Sequence, residues 1–506
     1  MAKERIGKVW LVGAGPGDPG LLTLKAARAI STCEVLVYDY LASNAIVNLA
    51  PPDCEKIYVG KKAGAHTLTQ DEITALIVRL GLEGRKVVRL KGGDVFVFAR
   101  GGEEARELRD AGVPFEIIPG ITSAIAAPAY AGIPISHRDH NTSFTIATGH
   151  EDPTKGYSSI DFAKLANPAQ TLVFLMAMGS LRGIVAKLIE NGMPADQPVG
   201  IVREGTRPTQ ETLVGTLGTI CDEVDRVKFE APAIVVIGNV VREREHIRWF
   251  DTGPLFGKKV LVTRAIGQAD DLATKLWERG AEPILAPTIA IGPPDDLERA
   301  EGAVRNVRSY QWIVFTSTNG VAAFFDRLSA GGGDARALGD VKVAAIGPKT
   351  AGALVAHGIR PDFTPAKFIS EDVAEGLLER TASGDRVLLY RAAEARDVLP
   401  QTLRARDRIV EVVAAYKTVL VHDAALAEAA RRADVWTFTS ASTVHGFNKN
   451  VLEAASLARG KTIACIGPIT AAAATEAGFP PTVVADDYTA DGLVEALERT
   501  ARQPSA

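Results

Sequence analysis

The chain has 506 residues, 46% of them hydrophobic and 23% charged, which at roughly 150 residues per domain predicts three or four globular domains. The formal net charge of −4 favours neither nucleic acid nor an anionic membrane as a partner, so any site for an anion must be local. The four cysteines have no CxxC spacing, which excludes a disulfide framework, and no apolar run reaches about 18 residues, which excludes a membrane-spanning helix. There is also no HExxH motif and no signal-peptide segment. These features predict a cytoplasmic protein without a metal centre.

Short β-branched runs alternate with helical segments along the first 250 residues. KVWLVG, CEVLVYD, KVVRLKGGD and FEIIPG each have the pattern of a strand followed by a turn, and QTLVFLMAMGS, QPVGIVREGT and APAIVVIGNVV continue it. This alternation predicts an α/β fold with parallel strands. A charged segment followed by Trp249, Gly253 and Pro254 predicts a linker at 251–257. We expect a first domain at 1–250, with lobes at about 1–135 and 136–250.

An internal repeat occupies the second half of the chain. Two strand-to-helix segments recur at offsets of 123 and 120 residues: WIVFTSTNGVAAFF as VWTFTSASTVHGFN, and VAAIGPKTAGALVAHG as IACIGPITAAAATEAG. Two copies at nearly one offset predict two similar α/β lobes within 258–500, followed by a tail at 501–506.

The loop VGAGPGDPG at 12–20 follows a predicted strand and precedes a helix. It approximates a dinucleotide fingerprint, with Asp39 as the ribose-binding acid, but Asp18 occupies the position of the third glycine. Pro16 and Pro19 also stiffen a loop that should let a pyrophosphate approach the helix. A nicotinamide cofactor is therefore disfavoured, and a purely structural turn remains an alternative.

Three further loops, at 37–39, 91–94 and 119–124, also follow predicted strands. Ligands of open α/β sheets bind at the carboxyl ends of the strands, so these loops are expected to share one crevice. Gly92 and Gly93 permit close approach of a backbone, and Asp94 offers a carboxylate.

GAGPGD, VVRLKGGD, FVFARGGEE, PGITSA and GIPISHRD occur in an order and spacing that resemble the tetrapyrrole methylase family, and within it the uroporphyrinogen-III C-methyltransferases, over about 6–250. The resemblance implies two α/β domains that bind S-adenosyl-L-methionine in a crevice between them and methylate carbons 2 and 7 of the macrocycle, giving precorrin-2. It implies cofactor contacts at nine positions: Pro16, Gly92, Gly93, Asp94, Val97, Thr122, Ser123, Met176 and Gly205. A methionine after an apolar strand is more often a core residue, so Met176 has two interpretations.

The same resemblance implies that Asp39 accepts a proton and that Lys61 donates one. Alternatively, Asp39 caps the next helix and Lys61 binds a substrate carboxylate, because a lysine is a poor acid–base group at neutral pH unless its pKa is lowered. The implied substrate carries eight carboxylates, so Arg89, Arg100 and Arg138 are predicted to bind it.

VTR, FTSTNGV, AIGPKTA, AAYKT and FTSAST resemble the uroporphyrinogen-III synthases over about 257–495. The resemblance implies two α/β lobes between which the chain crosses and returns, and the cyclisation of hydroxymethylbilane with inversion of its last ring. It implies that Tyr416 helps the substrate hydroxyl to leave, although a tyrosine packed at a lobe boundary is an alternative. The predicted cleft residues, of which the hydroxyl-bearing ones alternatively cap helices, are Arg264, Ser317, Asn319, Lys349, Thr439 and Ser440.

Together these features predict a bifunctional enzyme that makes precorrin-2 from hydroxymethylbilane, with S-adenosyl-L-methionine as methyl donor, tetrapyrroles as substrates, and neither nucleic acid nor a membrane as a partner. The first resemblance also implies a homodimer formed through the methyltransferase half. Two alternatives stay open: a nucleotide-dependent dehydrogenase fused to a ligand sensor, and a bilobal regulator that senses S-adenosyl-L-methionine without catalysis. The incomplete glycine fingerprint disfavours the first, and the absence of a basic helix-turn-helix segment disfavours the second.

Overall fold

The computed structural model describes residues 6–60, 68–150, 160–395 and 397–502. The chain divides into two compact units. The first consists of the residues up to Lys258 together with the short segment Leu276–Glu282, and the second consists of the remaining residues. Within the described ranges, no helix combines the length and apolar character needed to span a membrane.

The first lobe of the first unit is a parallel sheet with helices between its strands. Its strands are β1 (Lys8–Gly13), β2 (Val35–Tyr38), β3 (Glu55–Tyr58), β4 (Lys86–Lys91) and β5 (Phe115–Ile118). Its helices are α1 (Leu24–Ile30), α2 (Asn44–Val47), α3 (Gln70–Leu82), α4 (Gly101–Asp110) and α5 (Ser123–Tyr130). The strand order is β3-β2-β4-β1-β5, and every neighbouring pair is parallel, as the sequence predicted.

Local sequence signals set the ends of these helices. The Thr23 hydroxyl caps α1, and Thr69 caps α3 in a reciprocal capping box with Glu72. Such caps satisfy the amide groups that the first helical turn leaves unpaired. Because the strands are parallel, the carboxyl ends of β1, β2, β4 and β5 lie at one edge of the sheet.

The second lobe has a mixed sheet. Its strands are β6 (Phe144–Thr148), β7 (Thr171–Leu175), β8 (Pro198–Arg203), β9 (Glu211–Thr216) and β10 (Ala233–Ile237), and its helices are α6 (Phe162–Leu165), α7 (Leu181–Glu190), α8 (Ile220–Val227) and α9 (Arg244–Ile247). The order is β6-β7-β10-β8-β9. β10 is antiparallel to β7 and β8, and β8 is antiparallel to β9.

The antiparallel pairs correct the prediction of parallel strands throughout. β8 and β9 are joined by the short connection 204–210, which is too short for the crossover that parallel strands require. Because β7 and β8 both run opposite to β10, they run in the same direction, and their carboxyl ends lie at the same edge of the sheet.

From Lys259 onward, the described residues contain ten strands and eleven α-helices, which belong to the second unit except for the segment Leu276–Glu282. The strands are β11 (Lys259–Val262), β12 (Glu282–Leu285), β13 (Ile289–Gly292), β14 (Trp312–Phe315), β15 (Lys342–Ala345), β16 (Arg386–Ala392), β17 (Ile409–Leu420), β18 (Val435–Phe438), β19 (Thr462–Cys465) and β20 (Val483–Val484). The helices are α10 (Ile266–Glu278), α11 (Leu297–Arg305), α12 (Thr318–Ala330), α13 (Pro348–Ala356), α14 (Ser370–Arg380), α15 (Val398–Arg404), α16 (Leu426–Arg432), α17 (Ala441–Asn450), α18 (Ala454–Leu457), α19 (Pro468–Glu476) and α20 (Ala490–Arg502).

These strands form two sheets between which the chain crosses twice. One sheet has the order β12-β11-β18-β19-β20 and the other β13-β17-β16-β14-β15. The chain leaves the first sheet before β13 and returns to it at β18, which confirms the predicted bilobal fold. The internal repeat corresponds to equivalent elements of the two sheets: β14–α12 with β18–α17, and β15–α13 with β19–α19.

Candidate functional site

Two loops at the carboxyl edge of the first lobe lie against each other. The Ala14 amide donates to the Lys91 carbonyl over 2.7 Å, and Gly15 and Gly93 exchange two backbone hydrogen bonds of 3.1 and 2.8 Å. The loop after β1, which contains Pro16, is thereby fixed to the loop after β4.

Glycines allow a third loop to approach the same point. A Cβ atom on Gly120 would lie 2.3 Å from the Gly93 carbonyl oxygen, and one on Gly13 would lie 2.5 Å from the Gly120 nitrogen. Gly93 itself has a φ of +68°, in the left-handed region that favours glycine. Larger residues at Gly13 and Gly120 would push the three loops apart.

The Asp94 carboxylate joins the loop after β4 to the loop after β5. Its Oδ1 accepts from the amides of Phe96 and Val97, over 2.8 and 3.2 Å, and its Oδ2 accepts from the Gly120 amide over 3.1 Å. Asp94 therefore holds these two loops together by accepting hydrogen bonds from three backbone amides.

The predicted contacts at Thr122 and Ser123 lie where α5 begins. The buried Thr122 side chain caps the helix by accepting from the Ala124 amide over 3.3 Å, and Ser123 is the first helical residue. The start of α5 is thus held at the same edge as the glycine loops.

Residues after β7 and β8 bring the second lobe to this region. Met176 has a φ of +54° and is 51% exposed, so it is not a core residue. A Cβ on Gly205 would lie 2.3 Å from the Ala127 side chain, and its neighbours Glu204 and Thr206 have positive φ angles. Backbone strain of this kind concentrates at functional sites.

Side chains connect the loops of the two lobes. The Asp18 amide donates to the Thr206 hydroxyl over 3.1 Å, and the Tyr130 hydroxyl donates to the Asp18 carboxylate over 2.7 Å. Burial and this carboxylate raise the pKa of Tyr130, which keeps the phenol a donor. Arg207 donates to the Leu41 carbonyl over 3.1 Å. The crevice is therefore lined by loops of both lobes.

The sequence reasoning missed an exposed apolar surface on these loops. Phe96 is 57% exposed and Phe98 is 43% exposed, and both follow the KGGD turn. Further exposed apolar residues lie on the neighbouring loops and at the start of α5: Leu41, Ile121, Ile125 and Met176. Apolar residues beside a glycine-rich turn were the signal that could have identified this surface.

A buried charge network supports Asp39. The Arg89 side chain, 4% exposed, donates to Asp39 Oδ2 over 3.3 Å and to Glu104 Oε1 over 3.4 Å. Lys91 donates to the same Glu104 oxygen over 2.7 Å. Burial and the neighbouring Arg89 charge lower the pKa of Lys91, against the opposing effect of Glu104. The Arg89 guanidinium is thus engaged inside the protein.

The other basic candidates of this half have different surroundings. Arg100 is exposed and forms an ion pair with Glu103, which raises the pKa of the guanidinium. Arg138 is exposed. Lys61 lies outside the described residues.

In the second unit, the structure brings Tyr416 and Ser317 together. The Tyr416 hydroxyl donates to Ser317 Oγ over 3.0 Å, and Tyr416 is 8% exposed. Ser317 also caps α12, because its Oγ accepts from the Gly320 amide over 3.1 Å. The tyrosine on β17 therefore lies at the start of a helix, where amide groups favour negative charge.

The remaining candidates form one group on each sheet. Asn319 is in the first turn of α12 and the exposed Lys349 in the first turn of α13, after parallel strands. Ser440, which caps α17, follows β18, and the half-buried Arg264 follows the parallel β11. Thr439 directly precedes Ser440. Burial lowers the pKa of Arg264.

A hydrogen bond from Lys275 lowers the pKa of Asp491 in α20, and the charge of Lys349 contributes in the same direction.

The comparisons match both parts of the chain. The sequence model of the Tetrapyrrole (Corrin/Porphyrin) Methylases matches residues 8–221, and that of uroporphyrinogen-III synthase HemD matches residues 270–495. A porphyrin biosynthesis protein HemD of Ruminiclostridium josui is 41% identical over 97% of each chain. An S-adenosyl-L-methionine-dependent uroporphyrinogen III methyltransferase of Methanosarcina barkeri is 52% identical over 46% of this chain and 92% of its own. A solved uroporphyrin-III C-methyl transferase from Thermus thermophilus, complexed with S-adenyl homocysteine, is 38% identical and covers 47% of this chain and 99% of its own, with a TM-score of 0.40.

Proposed function

Because the chain belongs to the family of HemD porphyrin biosynthesis proteins, with a tetrapyrrole methylase part followed by a uroporphyrinogen-III synthase part, we propose that it converts hydroxymethylbilane to precorrin-2. The second part cyclises hydroxymethylbilane with inversion of the last ring, and the first part methylates carbons 2 and 7 of the resulting uroporphyrinogen III. The observation that carries this proposal is the match of both family models to a single chain.

S-adenosyl-L-methionine supplies the methyl group. The methyltransferase relative from Methanosarcina barkeri, named as dependent on this donor, supports the assignment. The crowded glycine loops, the cap of α5 and the exposed Met176 offer a narrow crevice in which backbone groups can approach a ligand. Alignment of a nucleophilic carbon with the methyl group dominates such a transfer, so rigid loops are more useful here than acid catalysis.

Asp39 is our proposed proton acceptor. A pyrrole carbon that gains a methyl group must lose a proton or pass it around the ring. The Asp39 carboxylate is one-fifth exposed and is oriented by Arg89, which donates to its Oδ2 over 3.3 Å. Lys61 remains the proposed donor on the strength of the family resemblance alone.

The substrate carboxylates are proposed to meet the exposed Arg100 and Arg138. Guanidinium groups at a surface match carboxylates in a bidentate manner. For Arg89, whose donors are engaged with Asp39 and Glu104, we propose a positioning role in place of substrate binding.

In the second unit, we propose that Tyr416 assists departure of the hydroxyl of hydroxymethylbilane. A phenol can donate a hydrogen bond without changing its charge. The Tyr416 hydroxyl now donates its hydrogen bond to Ser317 Oγ, and we propose that it donates to the substrate hydroxyl instead when the substrate is bound. Arg264, Asn319, Lys349, Thr439 and Ser440 are proposed to hold the substrate carboxylates and backbone in the cleft.

One assay tests the proposal. The purified chain is incubated with hydroxymethylbilane, with and without S-adenosyl-L-methionine, and the products are separated by chromatography. We expect uroporphyrinogen III without the donor and precorrin-2 with it. Formation of only the uninverted porphyrinogen, with no methylated product, would contradict the proposal and favour a regulator that senses S-adenosyl-L-methionine.

Two further predictions from the sequence remain proposals: assembly as a homodimer through the methyltransferase half, and a cytoplasmic location. Light scattering of the whole chain measures the first. Fractionation of the native cells measures the second.

A further inference from the structure

Two histidines and a glutamate form a cluster that the proposed reactions do not use. The ligand atoms of His137, His140 and Glu243 all lie within 4.8 Å of one another. His140 Nε2 is 2.7 Å from Glu243 Oε1, and the two imidazole rings are 4.9 Å apart. All three side chains are partly buried.

The backbone around the two histidines is held in a fixed turn. The His137 carbonyl accepts from the amides of His140 and Asn141, each over 3.0 Å. The Asn141 side chain accepts from the His137 amide over 2.8 Å and donates to the carbonyls of Ile135 and Ser143. A turn that is locked in this way presents both imidazoles on one side before any ligand binds.

The cluster lies at the opposite edge of the second-lobe sheet from the cofactor residues. Glu243 follows β10, whose last residue, Ile237, pairs with Leu172 and Val199 near the amino ends of β7 and β8. Met176 and Gly205 instead follow the carboxyl ends of those strands. The three cluster residues are therefore separate from Met176 and Gly205, whereas Arg138, the proposed substrate contact, lies in the turn between the two histidines.

We propose that His137, His140 and Glu243 form a binding site for a divalent transition-metal ion, with Zn²⁺ as the ion best suited to the donor set. Imidazole nitrogens and a carboxylate oxygen are common zinc ligands, and three protein ligands with one water make a tetrahedral site. Metal–ligand bonds of about 2.0–2.1 Å place tetrahedral donors about 3.4 Å apart, so small side-chain rotations suffice. The ion would replace the direct contact between His140 Nε2 and Glu243 Oε1.

The His137 ring has a backbone partner. Its Nδ1 accepts from the Asp139 amide over 3.3 Å, while the exposed Asp139 carboxylate lies 3.9 Å from the same nitrogen. The ion would join the segment before β6 to the turn after β10, which are 103 residues apart between His140 and Glu243.

The test uses the whole chain without a histidine tag, stripped with a chelator and titrated with Co²⁺ as a spectroscopic probe. We expect visible absorption bands of low-symmetry Co²⁺ at one ion per chain, displaced by Zn²⁺, and a melting temperature that rises with Zn²⁺. His140→Ala and Glu243→Gln should each lose the bands and the thermal shift.

His445→Ala, which removes an exposed histidine of the second unit, is the matched control and should keep both signals. Circular dichroism and methylation of supplied uroporphyrinogen III establish that the variants are folded. Bands that persist in His140→Ala or Glu243→Gln, or that disappear in His445→Ala, overturn the proposal. If His140→Ala does not fold, Glu243→Gln decides, because it preserves the size of the side chain. Absence of the bands in the unaltered chain would mean that the cluster is an ordinary ion pair.

Discussion

Glu104 is a fully buried carboxylate on α4 that holds two cations, Arg89 and Lys91, through one oxygen. Its other oxygen has no hydrogen-bond partner within the described part of the chain. Since Arg89 also contacts Asp39, the orientation of the proposed proton acceptor depends on a carboxylate that does not itself reach the surface.

Glu104→Gln should destabilise the first unit and slow methylation. Glutamine has the same size but removes the ion-pair partner of the buried Lys91 and leaves the buried Arg89 with Asp39 alone, and breaking a buried pair costs about 3–5 kcal/mol. Denaturant unfolding and the kcat of methylation measure the two effects. Glu103→Gln, at an exposed ion pair with Arg100, is the control and should change stability by less than about 1 kcal/mol. Equal effects of the two substitutions would contradict the positioning role of the network.

Tyr416→Phe should slow ring closure roughly tenfold to a hundredfold, because it removes one hydrogen-bond donor from the reacting centre. Methylation of supplied uroporphyrinogen III should be unchanged. Tyr310→Phe is a suitable control, since that buried phenol donates to Glu411 over 2.5 Å and carries no proposed role. Loss of both activities in Tyr416→Phe would indicate a folding defect, and unchanged ring closure would remove Tyr416 from the mechanism.

At the scale of elements, both units place most of their candidate residues where strands end and helices begin, although Arg89 and Tyr416 lie within strands. The repeat of the second unit shows this directly, because Ser317 and Ser440 cap equivalent helices, α12 and α17. A serine at such a position caps the helix and still lines a cleft, so the two interpretations of these hydroxyls are compatible. In the first unit, glycines rather than serines stand at the ends of three strands, and they allow the loops after these strands to approach one another closely.

Gly120→Ala should weaken binding of S-adenosylhomocysteine by more than about tenfold and destabilise the first unit by about 1–3 kcal/mol, the usual range for overpacking. The added methyl group would overlap the Gly93 carbonyl. Calorimetric titration measures the affinity. Gly102→Ala, in α4 with no atom within 4 Å of the new Cβ, should leave binding intact and add up to about 1 kcal/mol of stability. Unchanged affinity in Gly120→Ala would argue against this crevice as the cofactor site.

At the scale of the whole molecule, the chain is two compact units whose contacts divide at Lys258, and the proposed linker at 251–257 lies just before that point. The lobe boundary proposed near 135 lies in the segment between α5 and β6, and the boundary proposed at 250 precedes Lys258 by eight residues. A net charge of only −4 is compatible with polyanionic substrates because the basic residues that would bind them are gathered in a few loops.

Scanning calorimetry should resolve two transitions, and S-adenosylhomocysteine should raise the temperature of only one. A ligand stabilises the unit whose folded state it binds, by mass action. The shifted transition should be the one that Glu104→Gln lowers. A single transition, or a ligand shift of both, would show that the units unfold together.

The sequence by itself determined the strand and helix pattern, the repeat of the second half and the family of each part, because these depend on local periodicity and on motifs of adjacent residues. It also identified the glycine loops correctly as strand ends. It did not reveal the antiparallel strands of the second lobe, since strand direction depends on connection length and on pairing with distant segments.

Only the tertiary structure decided what individual side chains do. The sequence around Arg89 does not show whether its side chain binds substrate or Glu104, and the structure shows that it contacts Glu104. The sequence around Met176 is equally compatible with a core residue, and the structure shows that its side chain is exposed. The cluster of His137, His140 and Glu243 could not be identified from the sequence, because Glu243 is 103 residues from His140. Burial and long-range charge pairing arise from the packing of elements, and no local pattern of residue types encodes them.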